Sequence, residues 1–394
     1  MKAAKPKNRM RSLNLKRWAP WLAALEMATL STPLPAQTST QAPIPMVTAL
    51  SATSISGYVD TSAVWNPGTG NANPAPYGFN PGKQDGFNVD SIDIKICKPQ
   101  DESGWSAGYT AEFNWGPDAV GIDHGAYPIR QAFVALHMPV GNGIDWQLGR
   151  WDTLFGYESN DSCSNRNVTW SYGYTVEPSE HTGLLGSYNF SDAINLQVGF
   201  ADALTTEDAG INTPNGAGSK RAFLSLLTLT APARWGFLKG SVLYFGYGLG
   251  PGLTNEDQYE WYVGTTINTP AKDLTFGACL DFIKQVDIGA VETGYFTSYS
   301  GYASFNVTDK LAFNGRAEYA EGLALGAMTT TTAFDKVIAL TGTVQYDLWT
   351  NVVTRLEVRW DHAADGTTPF GGTIVGAPDK KNEVSTAASV TYKF

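Results

Sequence analysis

The sequence predicts an all-β fold: one transmembrane antiparallel up-and-down β-barrel of about sixteen strands. Three observations carry this. Charged residues make up 16% of the 394 positions and aromatic residues 12%, whereas ordinary soluble domains carry roughly 25% charged residues. Apolar residues recur with a period of two, the period of a strand and not of a helix. The connections between alternating segments run short, long, short, long, as in a meander whose tight turns all lie at one end. No uninterrupted apolar run approaches the ~20 residues of a membrane helix. The 41 glycines and 21 prolines have no period, which excludes a collagen-like chain.

The first element precedes the barrel. Lys2, Lys5, Lys7, Arg9, Arg11, Lys16 and Arg17 stand before an apolar stretch from Trp18 to Leu30, and small residues and prolines follow as far as Ala36. This order matches the basic, apolar and cleavage regions of a secretory signal peptide over 1–36. Glu26 interrupts the apolar region, so a disordered basic tail is the alternative. Residues 37–53, rich in Thr, Ser, Pro and Ala, form a flexible periplasmic leader, and the barrel occupies 54–394. Setting aside the seven basic residues and Glu26 changes the balance from 27 basic and 37 acidic residues to 20 and 36, a net charge of −16 instead of −10. Such acidity excludes nucleic acid as a partner, because phosphates are repelled.

The alternating segments begin near Ile55, Phe87, Ser106, Ile129, Ile144, Thr182, Ile194, Arg221, Phe237, Tyr259, Leu274, Phe296, Leu311, Lys336, Val352 and Glu383. Most have the ~9–11-residue length of a tilted membrane strand. In the fifteenth, Val352, Thr354, Leu356, Val358 and Trp360 share one face, with Arg355, Glu357, Arg359 and Asp361 on the other. In the thirteenth, Leu311, Phe313, Ala317 and Tyr319 oppose Asn314, Arg316 and Glu318. The last sets Val384, Val390 and Tyr392 against Glu383, Ser385, Ser389 and Lys393. The eighth, Arg221 to Ala231, alternates poorly and suits a strand covered on both faces. Gly246 to Gly252 has neither the Lys nor the following helix of a phosphate loop and is expected as a plain loop. Short turns fall at 191–193, 269–273, 307–310 and 348–351, and long Gly-, Pro- and Asn-rich segments at 66–86, 116–128, 202–220 and 362–381.

Alternation alone does not separate a soluble sandwich, apolar inside, from a barrel in lipid, apolar outside. Aromatic residues near strand ends (Trp115, Phe190, Phe200, Phe282, Phe305, Tyr319, Tyr346, Trp360 and Tyr392) fit two interfacial girdles. The export signal and a final strand ending on Phe394 point the same way. A closed barrel also removes the edges that a flat sheet of this size would expose.

Several short stretches add a resemblance. They are Ile55-Ser56-Gly57-Tyr58-Val59-Asp60-Thr61, Arg130-Gln131-Ala132-Phe133-Val134, Leu148-Gly149-Arg150, Phe155-Gly156-Tyr157-Glu158, His181-Thr182-Gly183 and Val390-Thr391-Tyr392-Lys393-Phe394. In order and spacing they resemble the OmpL-like family of β-barrel porins, across roughly 54–394. The resemblance implies a channel in the lipid of a bacterial outer membrane. The Phe394 ending also resembles the signal read by the barrel-assembly machinery. The chain departs from the family pattern at Arg150, where Lys is usual, at Leu154-Phe155, where a Pro-containing pair is usual, and at Cys163.

Two groups of residues are candidates for the functional site. The long segment after the fifth strand holds Asp152, Glu158, Asp161, Arg166, Glu177 and Glu180 among Trp170, Tyr172 and Tyr174. We expect it to fold inward and narrow the lumen, with Arg150, Asp152, Glu158, Asp161 and Arg166 setting the local field. A loop merely solvated at the surface is the alternative. The second group is the charged parity rows, Arg316 and Glu318, then Arg355, Glu357, Arg359 and Asp361. An arginine facing lipid near the midplane costs ~2–4 kcal/mol, so these rows are expected to face the lumen, as pore-lining groups or as ladders pairing with one another.

Other chemistry has little support. Asp60, Asp90, Asp93, Glu112 and Asp281 supply carboxylates without the defined separation of a glycosidase pair. His124, His137, His181 and His362 lack metal-site spacing, although His137 faces the lumen by parity, and Asn255-Glu256-Asp257 is a weak calcium candidate. Cys97, Cys163 and Cys279 give no disulfide framework. No enzyme activity, cofactor or metal is therefore expected. The expected function is passive diffusion of small hydrophilic solutes and ions, with a modest cation preference and both termini periplasmic, in a monomer or homotrimer. The alternatives are a surface binding module or adhesin with no conducting pore, and a periplasmic carbohydrate enzyme soluble without detergent.

Overall fold

A computed structural model describes residues 52–67, 72–75, 86–119, 128–204, 221–251, 257–285, 294–322 and 335–394. The expected signal peptide at 1–36, almost all of the expected leader, His124, the Asn255-Glu256 pair and much of the segments 66–86, 116–128 and 202–220 lie outside these residues. Sixteen strands follow in order: β1 Ser54–Trp65, β2 Gly86–Lys98, β3 Ser106–Trp115, β4 Ile129–Met138, β5 Ile144–Asp152, β6 Glu180–Ser191, β7 Ile194–Ala201, β8 Ala222–Thr230, β9 Val242–Pro251, β10 Asp257–Asn268, β11 Leu274–Gln285, β12 Tyr295–Asn306, β13 Leu311–Gly322, β14 Lys336–Trp349, β15 Val352–Ala363 and β16 Asn382–Lys393.

Each strand pairs with its neighbours in sequence, and β1 pairs antiparallel with β16, which closes the barrel. The seam extends to the last residue. The Gly57 amide donates to the Phe394 carbonyl and the Phe394 amide to the Gly57 carbonyl, both at 3.0 Å. Closure leaves no ladder unpaired, the condition for a sheet to sit in lipid. The start of β1 and the end of β16 share one end of the barrel with the short turns, and the long segments share the other.

Burial follows parity. In β15, Arg355, Glu357, Arg359 and Asp361 are buried while Leu356 and Val358 are 60% and 52% exposed. The outer surface is accordingly apolar. Aromatic residues stand exposed toward both ends, with Phe190, Phe305, Tyr346 and Tyr392 at the short-turn end and Trp65, Phe200, Trp261 and Tyr295 at the other. The polar and charged side chains turn inward, the reverse of a water-soluble sandwich.

Fifteen of the expected starting points lie within two residues of an observed strand start. The ninth does not. Residues 233–238 form two short 3-10 turns joined at Gly236, so β9 begins at Val242 and not at Phe237. The expected loop over Gly246 to Gly252 is also corrected, because Gly246 to Pro251 belong to β9. These glycines are a strand's inner face made flat. A Cβ at Gly246 would sit 2.6 Å from the Phe155 ring, and one at Gly248 3.1 Å from it. The weak alternation of β8 has the same origin. Leu224 and Leu226 point inward but meet an apolar cluster that includes Leu154, Phe155 and Leu204, so an apolar residue is favoured on both faces. The buried core thus lies inside the barrel, built around the segment that joins β5 to β6.

Candidate functional site: a loop laid across the lumen

The 153–179 loop leaves β5 and folds into the barrel. Its first limb is apolar. Leu154 and Phe155 pack with Leu224, Leu226 and Tyr262 on the wall formed by β8 and β10. Burying the pair, where the family pattern has a Pro-containing one, removes apolar surface from water at roughly 25 cal/mol per Å² and gives the loop a reason to enter the lumen. The loop then crosses to the far side. Ser162 donates to Asp60 on β1 at 2.7 Å, and the Cys163 carbonyl accepts from Arg355 at 3.1 Å and from Lys393 at 2.9 Å.

The returning limb lies on a bed of alternating charges from β13 and β15. Arg316 donates to the carbonyls of Thr169 (2.5 Å) and Trp170 (3.0 Å), and Arg359 to that of Trp170 (2.7 Å). The amides of Val168 and Thr169 donate to Glu357 at 2.6 and 2.9 Å, and that of Tyr172 to Glu318 at 2.7 Å. The arginines thus satisfy loop carbonyls and the glutamates loop amides. Chain entering a barrel leaves its water partners behind, and unmatched backbone groups there are costly; these rows supply the replacements. They also balance one another, with Arg316 on Glu318 at 2.5 Å and Arg359 on Asp361 at 2.9 Å. The Arg359 guanidinium lies 5.1 Å over the centre of the Tyr172 ring.

A second charged centre holds the loop's other side. Arg130 makes a two-point contact with Asp152 at 3.1 and 2.7 Å, contacts Glu112 at 2.8 Å and also bonds Asp161. Lys95 adds a 3.0 Å contact to Glu112. Asp93, Glu112 and Asp161 converge closely enough to resemble a cation site, but Arg130 lies among them. Arg130 was not among the expected site residues, because strict parity turns it outward. The register between β3 and β4 shifts at Glu112/Phe113, where Gln131 and Ile129 pair and Arg130 is the extra residue. A bulge of this kind turns both Arg130 and Gln131 inward.

Each expected residue has a definite place. Arg150 is buried on β5 and meets Glu180 at 3.2 Å. Asp152 and Asp161 share Arg130, and Glu158 meets Arg316 at 2.7 Å. Arg166 is exposed within the barrel, with no carboxylate pairing it among the described residues. Arg316, Glu318, Arg355, Glu357 and Arg359 face inward as parity requires, yet they are at most 4% exposed. The loop, and not water, covers them. His137 also faces inward and meets Asp145 at 2.8 Å. Cys97, Cys163 and Cys279 are unbridged.

Below the loop, on the side of the short turns, a cavity of about 430 Å³ opens between Tyr157, Asn165, Arg166 and the inner faces of β8–β12. The Glu177 carboxyl, at the loop's end, is pushed well above the usual carboxylate range by burial and then by the nearby Asp281.

A closed sixteen-strand barrel, apolar outside with aromatic belts, charged inside and crossed by a loop after its fifth strand, is the architecture of a porin of the bacterial outer membrane. The chain belongs to the family described as "Putative beta-barrel porin-2, OmpL-like", whose model matches residues 52–394. Solved structures share the fold at low identity. An anion-selective porin from Comamonas acidovorans is 14% identical with a TM-score of 0.57, covering 87% of this chain and 99% of its own. OmpF of Salmonella typhi, solved with daunomycin, is 13% identical with a TM-score of 0.59, covering 87% and 97%. The outer membrane channel DcaP of Acinetobacter baumannii is 12% identical with a TM-score of 0.58 over the same shares. No curated sequence relative matches.

Proposed function

We propose that this porin passes small hydrophilic solutes and ions by passive diffusion, through a lumen narrowed by the 153–179 loop, with a modest cation preference. The observation that carries this reading is the loop itself, fastened across the barrel by Arg316, Glu357 and Arg359. In this reading Arg150, Asp152, Glu158, Asp161 and Arg166 shape the field at the constriction. Arg316, Glu318, Arg355, Glu357 and Arg359 hold the loop that forms it.

Cation preference is supported by the excess of acids, a net charge of −16 once residues 1–36 are set aside, since fixed charge concentrates counter-ions. In this reading the mature chain starts after Ala36, both termini are periplasmic, the strand ending in Phe394 is read by the barrel-assembly machinery, and the assembly in the membrane is a monomer or a homotrimer.

Planar-bilayer recording of the purified chain tests this reading. Stepwise conductance in KCl is expected, with a reversal potential of cation sign under a salt gradient. A barrel that folds but never conducts would overturn the channel, and an anion-sign potential would overturn the preference alone.

A further inference from the structure

The cavity beneath the loop has the makings of a solute site. One side is an aromatic surface fixed in place. Tyr157 on the loop stacks on Tyr302 of β12 with ring centres 4.3 Å apart and planes at 25°. The Tyr157 hydroxyl accepts from Thr266 at 3.3 Å and fills the space left by Gly277, where a Cβ would lie 1.9 Å from it. Tyr244, Tyr262 and Leu226 continue this surface along β8–β10. Aromatic faces held by packing bind flat apolar groups at little entropic cost.

The charges around the cavity are unequal. Glu158 faces it but is neutralised by Arg316 at 2.7 Å. Arg166 also lines it, exposed, and no carboxylate pairs it among the described residues. A guanidinium beside an aromatic wall selects a carboxylate carried on an apolar body, since its paired donors match a carboxylate's two oxygens. The volume, about 430 Å³, lies within the range of small-molecule pockets.

We propose that this cavity is a subsite for aromatic monocarboxylates of one or two rings, with the ring on the tyrosines and the carboxylate on Arg166. The proposal rests on the reading of the barrel as a solute channel and names one class of solute that it passes. It is compatible with cation preference among simple ions, because the acids act through their summed field and the subsite through one unpaired guanidinium.

The test uses the folded full chain and three probes: benzoate, acetate (the anion without the ring) and benzyl alcohol (the ring without the charge). Benzoate is expected to reduce the KCl current saturably, at concentrations where the other two do not. Arg166→Gln and Tyr244→Ala should each raise the half-blocking concentration about tenfold, each variant being referred to its own conductance. Benzoate acting no better than acetate, or equally on both variants and the parent, would overturn the subsite and leave the channel standing. If the parent does not conduct, the channel reading falls. Saturation-transfer NMR from the folded barrel to the benzoate ring then decides the subsite, and transfer that is absent, or unchanged in Arg166→Gln, rejects it.

Discussion

Arg316 has every guanidinium nitrogen engaged. Nε meets Glu318, Nη1 meets Glu158 and the Thr169 carbonyl, and Nη2 meets the Thr169 hydroxyl, the Trp170 carbonyl and the Thr341 hydroxyl. A charge so enclosed stabilises little in net terms, but removing it strands its partners. Arg316→Met is therefore expected to cost about 3–5 kcal/mol and to free the loop. The readouts are a lower temperature for the heat-modifiable band shift and a noisier, larger conductance. Adding Glu158→Gln should restore part of the loss, since one stranded charge disappears. A single variant as stable as the parent would show that the loop is held elsewhere. Glu177 supplies a pH dependence of definite sign. Its folded-state pKa is raised by burial and by Asp281, so its contribution is present in acid and lost as pH rises past the usual carboxylate range. The parent's band-shift temperature should fall with rising pH more steeply than that of Glu177→Gln. Parallel curves would remove Glu177 from the account.

At the scale of elements, strand existence and facing were legible in the sequence and the loop's path was not. Thr354 to Asp361 alternate without a break, with Arg355, Glu357, Arg359 and Asp361 buried and Leu356 and Val358 exposed, whereas at the strand's start, beside the register shift at Asp347/Trp349, Val352 is buried. Leu356→Arg, on the lipid side, should cost ~2–4 kcal/mol in a bilayer refolding titration. An undestabilised variant would invert the facing of β15. Parity failed where a bulge adds a residue, as at Arg130, and where the loop supplies an apolar surface from within, as at β8. The glycines of β9 suggested a loop because their composition reports flexibility. Their actual role, making room for Phe155, belongs to a partner about ninety positions away in the chain. Leu154-Phe155, noticed only as a departure from a family pattern, is the pair that packs the loop against the wall.

At the scale of the whole molecule, closure sets the function. The β1–β16 seam, completed by Gly57 and Phe394, makes the inner faces of sixteen strands into one interior. The sign of the reversal potential tests the summed charge of that interior. Replacing Arg166 alone should move it further toward cations, because one exposed positive charge inside the barrel is lost. The shift should shrink in high salt, where the screening length falls to about 3 Å at 1 M.

The period of two, the positions of most strands and their apolar and charged faces were legible in the order of residues alone. Each follows from local geometry, since neighbouring side chains in a strand point opposite ways whatever surrounds them. What covers the charged rows was settled by long-range packing. Thr169 and Arg316 are 147 residues apart, and Thr169 and Glu357 are 188 apart. A loop of mixed polarity carries no periodic signal to say which wall it will meet. The rows read as pore lining are instead the bed of the loop. Water-facing charge is left to residues such as Arg166, whose setting exists only once the barrel has closed around it.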